Sequence, residues 1–544
     1  MLKNSFLEQD LALNKILILV PHQDDEVNCA GALMKSCVNA GAKVKVTYLT
    51  DGAFKFAAQL RKREALQALR VLGIMKKDVT FLGFPDRNNK KPGLHFYHDR
   101  VQHEQVVGVL QKHIKDIKAD LIVCVDYDYH CDHRALSLLF EEALDSVLRE
   151  PDNNYTPLIL KAFAYETAFE APADYWSLNL LSTVRSKISK VETGTIETNN
   201  PFFRWDERLR LPVTTSCRTS FLFSNVIFKA LCRHLSQEAE KHALQIINAD
   251  QVFWQKRTDN LAYKAKCSAS SGNPQQAINF RLFTTEDILA IPGKICCYGW
   301  HPEPQDLQKT VRLQWEQPQI IKQICLFASW EQKETLAAVQ ITSDKRQVWH
   351  FENLHPGKNI INLPLPARVE SLQIQIAGTG AAPVLSGLGI FASPVQTWGK
   401  PLLKIICDSE FIYDFIVPPG ENTCVLELYA ANGLKVQGLQ VKDTAGQIFV
   451  VNFIILAARN AKLCGNRICF QGSSGSIIVR AQVEGRPDIY DEVRVSKKGK
   501  IWHKLQKIRE KIEKVCASRH FHLRKKYFHI REKYFKDNTD RAQD

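Results

Sequence analysis

The chain has 544 residues, of which 45% are hydrophobic and 24% are charged; this balance is typical of globular proteins, and the length exceeds one hydrophobic core, so we expect roughly three or four structural units. The formal net charge is +14, but the segment from Lys497 to Lys536 has fifteen Lys and Arg against three Glu, a net +12. The rest of the chain is nearly neutral, which argues against a general nucleic-acid-binding surface there, so nucleic acid is not an expected partner.

The location of the protein is predicted from three features of the sequence. No stretch approaches the roughly 20 apolar residues that cross a bilayer. The N-terminal segment, residues 1–10, lacks the apolar core of a signal peptide. The 15 cysteines are scattered without a Cys-x2-Cys pair, which favours reduced thiols. We therefore expect a cytoplasmic protein.

The first stretch alternates apolar runs with helix-like segments. This alternation predicts an α/β domain with a Rossmann-like parallel sheet and helices on both faces. In such sheets the ligand site lies outside the carboxyl ends of the strands. The predicted strands are 15–21, 43–50, 78–82, 120–126 and 158–165, and the predicted helices are 26–40, 57–73, 102–117 and 133–149.

The remaining chain has a different pattern. Residues 171–285 are less regular, and a helical stretch is expected over 224–249. Short alternating runs between Gly, Pro, Asn and Asp fill 286–395 and 396–496, which predicts two β-sandwich modules. We therefore expect domains at 1–285, 286–395, 396–496 and 497–544.

The last of these segments is a basic tail with an apolar stripe. Ile501, Leu505, Ile508, Ile512 and Val515 recur at helical spacing among Lys and Arg. Such an amphipathic helix suits an anionic membrane surface, which would place the protein at the inner membrane face. It also suits a helical coiled-coil partner, and a solvated terminal helix that packs on the body is the third alternative.

Chemistry concentrates where two of the predicted strands end. Pro21-His-Gln-Asp-Asp-Glu26 follows the first strand, and His130-Cys-Asp-His133 follows the fourth. Imidazole nitrogen and carboxylate oxygen are zinc ligands, and a catalytic zinc keeps one position open for water. The two motifs therefore predict a hydrolytic site for one zinc or another divalent metal.

Roles follow from the position of each side chain in the two motifs. His22, Asp25 and His133 would be the metal ligands. Asp24 would accept the proton of a metal-polarised water, and His130 would stabilise an oxyanion or protonate a leaving amine. Asp132 would orient an imidazole as a catalytic partner.

Simpler interpretations exist for each motif alone. An Asp-Asp-Glu after a strand is often a solvated loop or a helix N-terminus, where acidic side chains are favoured. A His-x-x-His is often a surface pair. The two motifs together, each after a strand of one α/β unit, favour a site.

The motifs resemble a known family. His22 and its neighbours, Thr50-Asp51-Gly52, Phe84-Pro85-Asp86 and His130-Cys-Asp-His133 are similar to the zinc-dependent N-acetylglucosaminyl-phosphatidylinositol de-N-acetylases, the PIG-L or LmbE-like family. His234-Leu-Ser-Gln237 also resembles a feature of that family. The resemblance covers about the first 260 residues of the sequence.

The resemblance implies a zinc-dependent deacetylase, an amidase, that acts on N-acetylated sugars. It implies the metal ligands and the roles of Asp24 and His130 given above, and it makes Arg61 and Asp86 contacts to the sugar. A helix salt bridge of Arg61 with Glu64 and a turn cap at Asp86 are the alternatives for these two residues.

Two positions depart from the family pattern. Gln23 and Cys131 each stand where the family usually has proline. Neither is an expected ligand, but each loop loses a backbone constraint. Cys131 could capture metal or oxidise, and we favour a passive side chain in the core.

Two functions of different classes remain open from the sequence. The first is a metal-dependent deacetylase of a glycan, glycolipid or related conjugate. The second is a non-catalytic carbohydrate-binding or scaffold protein on the same fold. Residues 286–395 also resemble a discoidin-type (F5/8 type C) galactose-binding-like module, which implies glycan binding, and 400–495 has the pattern of an Ig-like sandwich.

Overall fold

The computed structural model describes most of the chain in segments. The chain divides close to Leu403 into two compact units. Within the described residues, no helix has the length and apolar character needed to span a bilayer. The described segments are 14–86, 100–127, 130–150, 153–164, 209–212, 215–218, 225–237, 239, 250–285, 295–329, 336–378, 383–393, 403–408, 414–430, 435–437, 439–442, 448–505 and 507–508.

The first unit begins with an α/β domain. Its strands are β1 (Lys15–Val20), β2 (Lys43–Thr50), β3 (Val79–Phe84), β4 (Leu121–Val125), β5 (Leu158–Ala162), β6 (Leu209–Pro212) and β7 (Asp250–Lys256). Its helices are α1 (Asp25–Asn39), α2 (Ala58–Leu72), α3 (Arg100–Ile117), α4 (Cys131–Leu148), α5 (Thr215–Arg218) and α6 (Val226–Leu231). The five predicted strands and four predicted helices of this region are therefore present, with ends that differ by a few residues.

The sheet has the order β3-β2-β1-β4-β5-β7-β6. Strands β1 to β5 are parallel, which confirms the predicted parallel sheet, and β7 and β6 extend it as antiparallel strands. Helices α1 and α2 pack against each other, and so do α3 and α4; with this strand order, the right-handed rule for parallel crossovers puts the two pairs on opposite faces of the sheet. Because the strand order reverses between β1 and β4, the loops after these two strands open a crevice at the carboxyl edge.

The central strands are buried because helices cover both of their faces. The five residues from Ile16 to Val20 have no exposed surface, which explains why β1 is a continuous apolar run rather than an alternating one. Helix α1 packs its apolar residues into the same core. The rigid centre of the domain therefore carries the loops that follow β1 and β4.

The helical stretch predicted over 224–249 is wrong in the part that the structure describes. Helix α6 starts at an Asn225 cap and ends at Leu231, and only a 3-10 turn, Leu235–Gln237, follows. His234 and Ser236 bond to distant carboxylates instead of continuing a helix. Residues 240–249 lie outside the described residues.

A β-rich part completes the first unit, as predicted for this region. Its sheet has the order β13-β12-β14-β11-β15, β8 pairs with β11, and β9 pairs with β10. Ala262 and Ile278 pack in the same core as Trp300, so residues before 286 contribute to this core. The strands are β8 (Lys266–Ala269), β9 (Phe283–Thr285), β10 (Ile295–Cys297), β11 (Thr310–Ala328), β12 (Leu336–Ser343), β13 (Val348–Glu352), β14 (Gly357–Gly378) and β15 (Leu385–Phe391).

The second unit is also β-rich, as predicted. Its strands are β16 (Leu403–Cys407), β17 (Asp414–Ile416), β18 (Thr423–Ala430), β19 (Lys435–Gln437), β20 (Gln440–Lys442), β21 (Ile448–Arg459), β22 (Ala461–Cys464), β23 (Arg467–Phe470), β24 (Gly475–Val483) and β25 (Arg486–Lys497). They form a sheet of order β16-β18-β23-β22 and a sheet of order β17-β25-β24-β21-β20-β19. Residues 500–505 and 507–508 are helical, and the rest of the predicted tail helix lies outside the described residues.

Candidate functional site

The site lies where β1 and β4 end. Each strand leads through a short loop into a helix, α1 or α4, so the two motifs face each other at the switch point of the sheet. His130 is the N-cap of α4, and its Nδ1 accepts a hydrogen bond of 3.2 Å from the backbone N–H of Asp132. Asp24 precedes α1 with a φ of 136°, a conformation that non-glycine residues rarely adopt.

His22 lies between three carboxylates. Its Nδ1 is 3.1 Å from Asp25 Oδ2, and its Nε2 is 2.7 Å from Asp132 Oδ2 and 3.2 Å from Asp86 Oδ1. The structure therefore brings Asp132 to the imidazole of His22 and draws Asp86 into the same cluster from the loop after β3.

Asp25 joins the two motifs. Its Oδ2 is 3.1 Å from His22 Nδ1 and 3.2 Å from His133 Nε2. His133 and Asp25 have no exposed surface. Asp25 Oδ1 accepts no hydrogen bond from the described residues. One carboxylate thus touches both imidazoles that the sequence predicts as ligands, and its second oxygen remains available to an ion.

His130 completes a cluster of three imidazoles. His22, His130 and His133 each offer one ring nitrogen, and these three atoms lie within 4.8 Å of one another. The His130 side chain is 29% exposed, whereas those of His22 and His133 are 6% and 0% exposed. His130 is therefore the imidazole that faces an incoming substrate.

Arg61 joins the loop that contains Asp24 to the loops that follow β2 and β3. Its guanidinium donates to Asp24 Oδ1 at 3.2 Å, to the Gln23 carbonyl at 2.6 Å and to the Gly52 carbonyl at 3.3 Å. It also lies 3.7 Å from Asp86 Oδ2. The helix salt bridge considered from the sequence gives way to this network. The structure places the predicted sugar contacts, Arg61 and Asp86, in the cluster.

The two departures from the family pattern have structural partners. The Gln23 side chain is fully buried and donates from Nε2 to the Thr50 carbonyl at 3.1 Å, which links the loop after β1 to the end of β2. Cys131 is buried and packs in the apolar core. Its Sγ also lies within 4.8 Å of ligand atoms of His130 and Asp132, so the passive role of the thiol stays a prediction.

The electrostatics of the cluster follow from burial and opposite charges. Burial lowers the pKa of His22, but Asp86, Asp132 and Asp25 outweigh it and hold this pKa well above its ordinary value. Burial raises the pKa of Asp25, but the imidazoles of His133 and His22 outweigh it and hold it well below its ordinary value. Burial, with His22 and His133 beside it, lowers the pKa of His130, so this imidazole is neutral near pH 7.

The donor types suit a divalent metal, but among the described residues the three-residue groups whose ligand atoms lie within 4.8 Å of one another do not include Asp25. These groups are His22 with His130 and His133, His22 with Asp86 and Asp132, and His130 with Cys131 and Asp132. A tetrahedral zinc with bonds of about 2.0–2.1 Å separates neighbouring ligand atoms by about 3.3 Å. The contacts of 3.1 Å and 3.2 Å that Asp25 makes with the two imidazoles are close to this spacing. A divalent cation would also balance the excess of carboxylates over guanidinium groups. Around the three imidazoles, the buried charged side chains that contact one another or the imidazoles are Asp24, Asp25, Asp86, Asp132 and Arg61.

Two hydrogen-bonded pairs beside the site involve residues to which the sequence assigns no role in catalysis or metal binding. Glu26 Oε1 is 2.9 Å from His234 Nε2, and both residues are fully buried. Ser236 donates to Glu64 from its backbone N–H at 2.9 Å and from its hydroxyl at 2.5 Å. The resemblance of His234-Leu-Ser-Gln237 to a family feature is the signal that points to this segment.

The N-terminal region, which contains the site, matches a known protein family. Residues 17–144 match the PIG-L family. Its description is GlcNAc-PI de-N-acetylase, and the matched range contains both motifs of the site. The match supports a PIG-L-type deacetylase domain in the N-terminal region. No curated protein matches the chain.

The solved structures that the chain matches include two deacetylases and a carbohydrate-binding module. A deacetylase triple mutant of the teicoplanin biosynthetic pathway is 16% identical over 45% of this chain and 99% of its own, with a TM-score of 0.31. The N,N'-diacetylchitobiose deacetylase from Pyrococcus horikoshii is 18% identical over 46% and 89%, with a TM-score of 0.29. The family 32 module of NanJ from C. perfringens is 14% identical over 24% and 94%, with a TM-score of 0.19.

Proposed function

We propose that the protein is a metal-dependent hydrolase that removes N-acetyl groups from N-acetylglucosamine-type sugars of a glycan, glycolipid or related conjugate. One observation carries the proposal: Asp25 Oδ2 lies within 3.2 Å of both His22 and His133 at the carboxyl edge of the sheet. The family match over residues 17–144 supports the N-acetyl sugar as the substrate class.

His22, Asp25 and His133 would hold the metal, with zinc as the first candidate and another divalent ion as the alternative. The metal supplies Lewis acidity, which polarises a carbonyl oxygen and makes a water molecule more acidic. The three side chains fix its place beside Asp24, whose carboxylate is held by Arg61.

Asp24 serves as the general base. Its carboxylate takes a proton from the attacking water, and Arg61 holds Oδ1 at 3.2 Å so that the carboxylate cannot rotate away. The same proton is then available to the departing amine. A positioned base of this kind contributes about 10²–10⁴-fold to a rate.

His130 stabilises the negative charge that develops on the acetyl oxygen. Because its Nδ1 accepts a hydrogen bond from the backbone N–H of Asp132, the proton of the neutral imidazole is on Nε2. This nitrogen is a hydrogen-bond donor, which suits an oxyanion. Asp132, 2.7 Å from His22 Nε2, orients the His22 ring so that Nδ1 faces Asp25.

Asp86 and Arg61 are the proposed contacts for the sugar. The Asp86 carboxylate lies beside His22 and Arg61, so the hydroxyls of a sugar bound at this cluster would donate to the Asp86 oxygens. Residues 286–395 are proposed as a discoidin-like module for glycan binding, and 396–496 as an Ig-like spacer.

Acetate release tests the proposal directly. The purified chain is screened on N-acetylglucosamine, its lipid- and nucleotide-linked forms, and acetylated oligosaccharides, with bound metal measured on the same samples. Wild type should release acetate, and Asp24→Ala should keep the metal but lose acetate release by at least about 10²-fold. Acetate release by Asp24→Ala equal to wild type would show that Asp24 is not the base.

A further inference from the structure

Glu26 connects His234 to the proposed base Asp24, because one Glu26 oxygen contacts His234 and the other accepts the backbone N–H of Asp24. His234 Nε2 lies 2.9 Å from Glu26 Oε1, and Glu26 Oε2 accepts the backbone N–H of Asp24 at 2.9 Å. Glu26 and His234 are both fully buried. Since a buried carboxylate needs hydrogen-bond donors on both oxygens, His234 and Asp24 together satisfy Glu26.

Asp24 needs such support because its backbone is strained. Its φ of 136° and ψ of −28° lie outside the regions that residues with a Cβ adopt at low energy. A strained conformation persists only where surrounding contacts over-determine it. The hydrogen bond from the Asp24 N–H to Glu26 is one such contact, and it depends on a fixed Glu26 carboxylate.

The same segment also anchors the helix that carries Arg61, the partner of the Asp24 side chain. Ser236 holds Glu64 with two hydrogen bonds, from its N–H and from its hydroxyl. Glu64 lies three residues after Arg61 on α2, and Arg61 donates to Asp24 Oδ1. The turn at residues 234–236 therefore reaches the backbone of Asp24 through Glu26, and through Glu64 it anchors α2, the helix that carries Arg61.

We propose that His234 and Ser236 are positioning residues for the general base Asp24. Their hydrogen bonds go to Glu26 and Glu64 rather than to the proposed metal ligands, and they act by fixing Glu26 and by anchoring α2. This inference rests on the proposed function for its catalytic consequence, but the geometry that it assigns to Asp24 can be measured without activity.

The decisive comparison is between two substitutions of His234. His234→Leu keeps apolar volume and removes the donor, whereas His234→Gln places an amide N–H where the imidazole Nε2–H lies. We expect His234→Leu to lower kcat by about 10–100-fold with KM and bound metal unchanged, and His234→Gln to recover most of the loss. Equal kcat in His234→Leu and wild type, or equal loss in both variants, would overturn the inference.

A matched control separates positioning from loss of stability. His113→Leu removes another histidine hydrogen bond, the 2.7 Å contact with Thr47, from helix α3 outside the site cluster. We expect it to leave kcat unchanged. A fall in kcat as large as that of His234→Leu would mean that any lost histidine bond in this domain has the same effect.

Amide hydrogen exchange gives the readout that does not need activity. The Asp24 amide should exchange faster in His234→Leu than in wild type and at nearly the wild-type rate in His234→Gln. Unchanged exchange in His234→Leu would overturn the inference even if wild type releases acetate. If wild type releases no acetate, the proposed function fails and the exchange result still decides the inference.

Ser236→Ala covers the case in which His234→Leu does not fold. It removes only the hydroxyl bond to Glu64 and leaves the backbone bond in place. We expect kcat to fall by a smaller factor than in His234→Leu, with KM and metal content unchanged. Wild-type kcat in Ser236→Ala would remove Ser236 from the assignment.

Discussion

Alanine at position 52 should disturb the site through a single added carbon. Gly52 has a φ of +71°, and a Cβ built on it would lie 2.0 Å from Gln23 Oε1 and 3.0 Å from Arg61 Cδ. Gln23 has little room to move because it is fully buried and bonded to the Thr50 carbonyl. The added carbon therefore pushes on two of the groups that hold the loop of Asp24.

Two free-energy costs set the expected destabilisation of the domain by Gly52→Ala. A left-handed backbone costs a residue with a Cβ about 1–2 kcal/mol, and forcing an extra carbon into a packed region costs about 1–3 kcal/mol more. Gly41→Ala is the matched control, because Gly41 also has a positive φ, of +86°, but its Cβ would meet nothing within 4 Å. Gly52→Ala should therefore destabilise the domain by about 1–3 kcal/mol more than Gly41→Ala.

The assay is hydrogen exchange of peptides from residues 43–72 in the full chain under a urea series, which reports the opening free energy of this region. Acetate release on the same samples should show a fall of about 10–100-fold for Gly52→Ala alone, because Arg61 and the Asp24 loop are displaced. Equal destabilisation by the two alanines, or full activity in Gly52→Ala, would refute the reasoning.

Two further predictions concern charge elsewhere in the chain. Glu141 is buried between Lys161 and Lys256. Burial raises the pKa of Glu141, but the two ammonium groups outweigh this effect and hold the pKa below its ordinary value of 4.5. The ionised form of Glu141 therefore stabilises the fold above pH 4.5. Glu141→Gln should thus cost about 3–5 kcal/mol at pH 7 in urea unfolding, with the loss shrinking as the pH falls below about 4.5; a pH-independent loss would contradict this sign. We also propose that the basic segment 497–536 binds anionic membranes, since Ile501 and Leu505 are 76% and 60% exposed. Deleting residues 498–544 should abolish sedimentation of the protein with phosphatidylserine vesicles, and neutral vesicles should bind neither the full chain nor the truncated one. Unchanged sedimentation of the truncated chain would count against the proposal.

The sequence is most informative where a physical pattern is local. β1 and β4 are apolar runs because both faces of these strands are buried, and the helices between the parallel strands leave one topology with a crevice after β1 and β4. The positions of His22 and His133 at adjacent strand ends follow from that topology. Their shared contact with Asp25 could therefore be anticipated without coordinates.

Long-range pairings could not be anticipated in the same way. His234 meets Glu26 across 208 positions of sequence, and no local pattern records such a partner. The helix expected over 224–249 ends early because these tertiary bonds compete with helical ones. β6 and β7 were also not predicted, since their antiparallel places at the sheet edge depend on pairing with β5 rather than on a βαβ unit.

Metal stoichiometry tests the central claim most directly. Wild type, loaded with zinc and freed of excess ion by gel filtration, should retain about one zinc per chain, as expected for a site with three protein ligands. Asp25→Asn should lose most of it, because Asp25 touches both imidazoles. Retention of zinc by Asp25→Asn at the wild-type level, or no zinc in wild type, would contradict a metal centre built on Asp25.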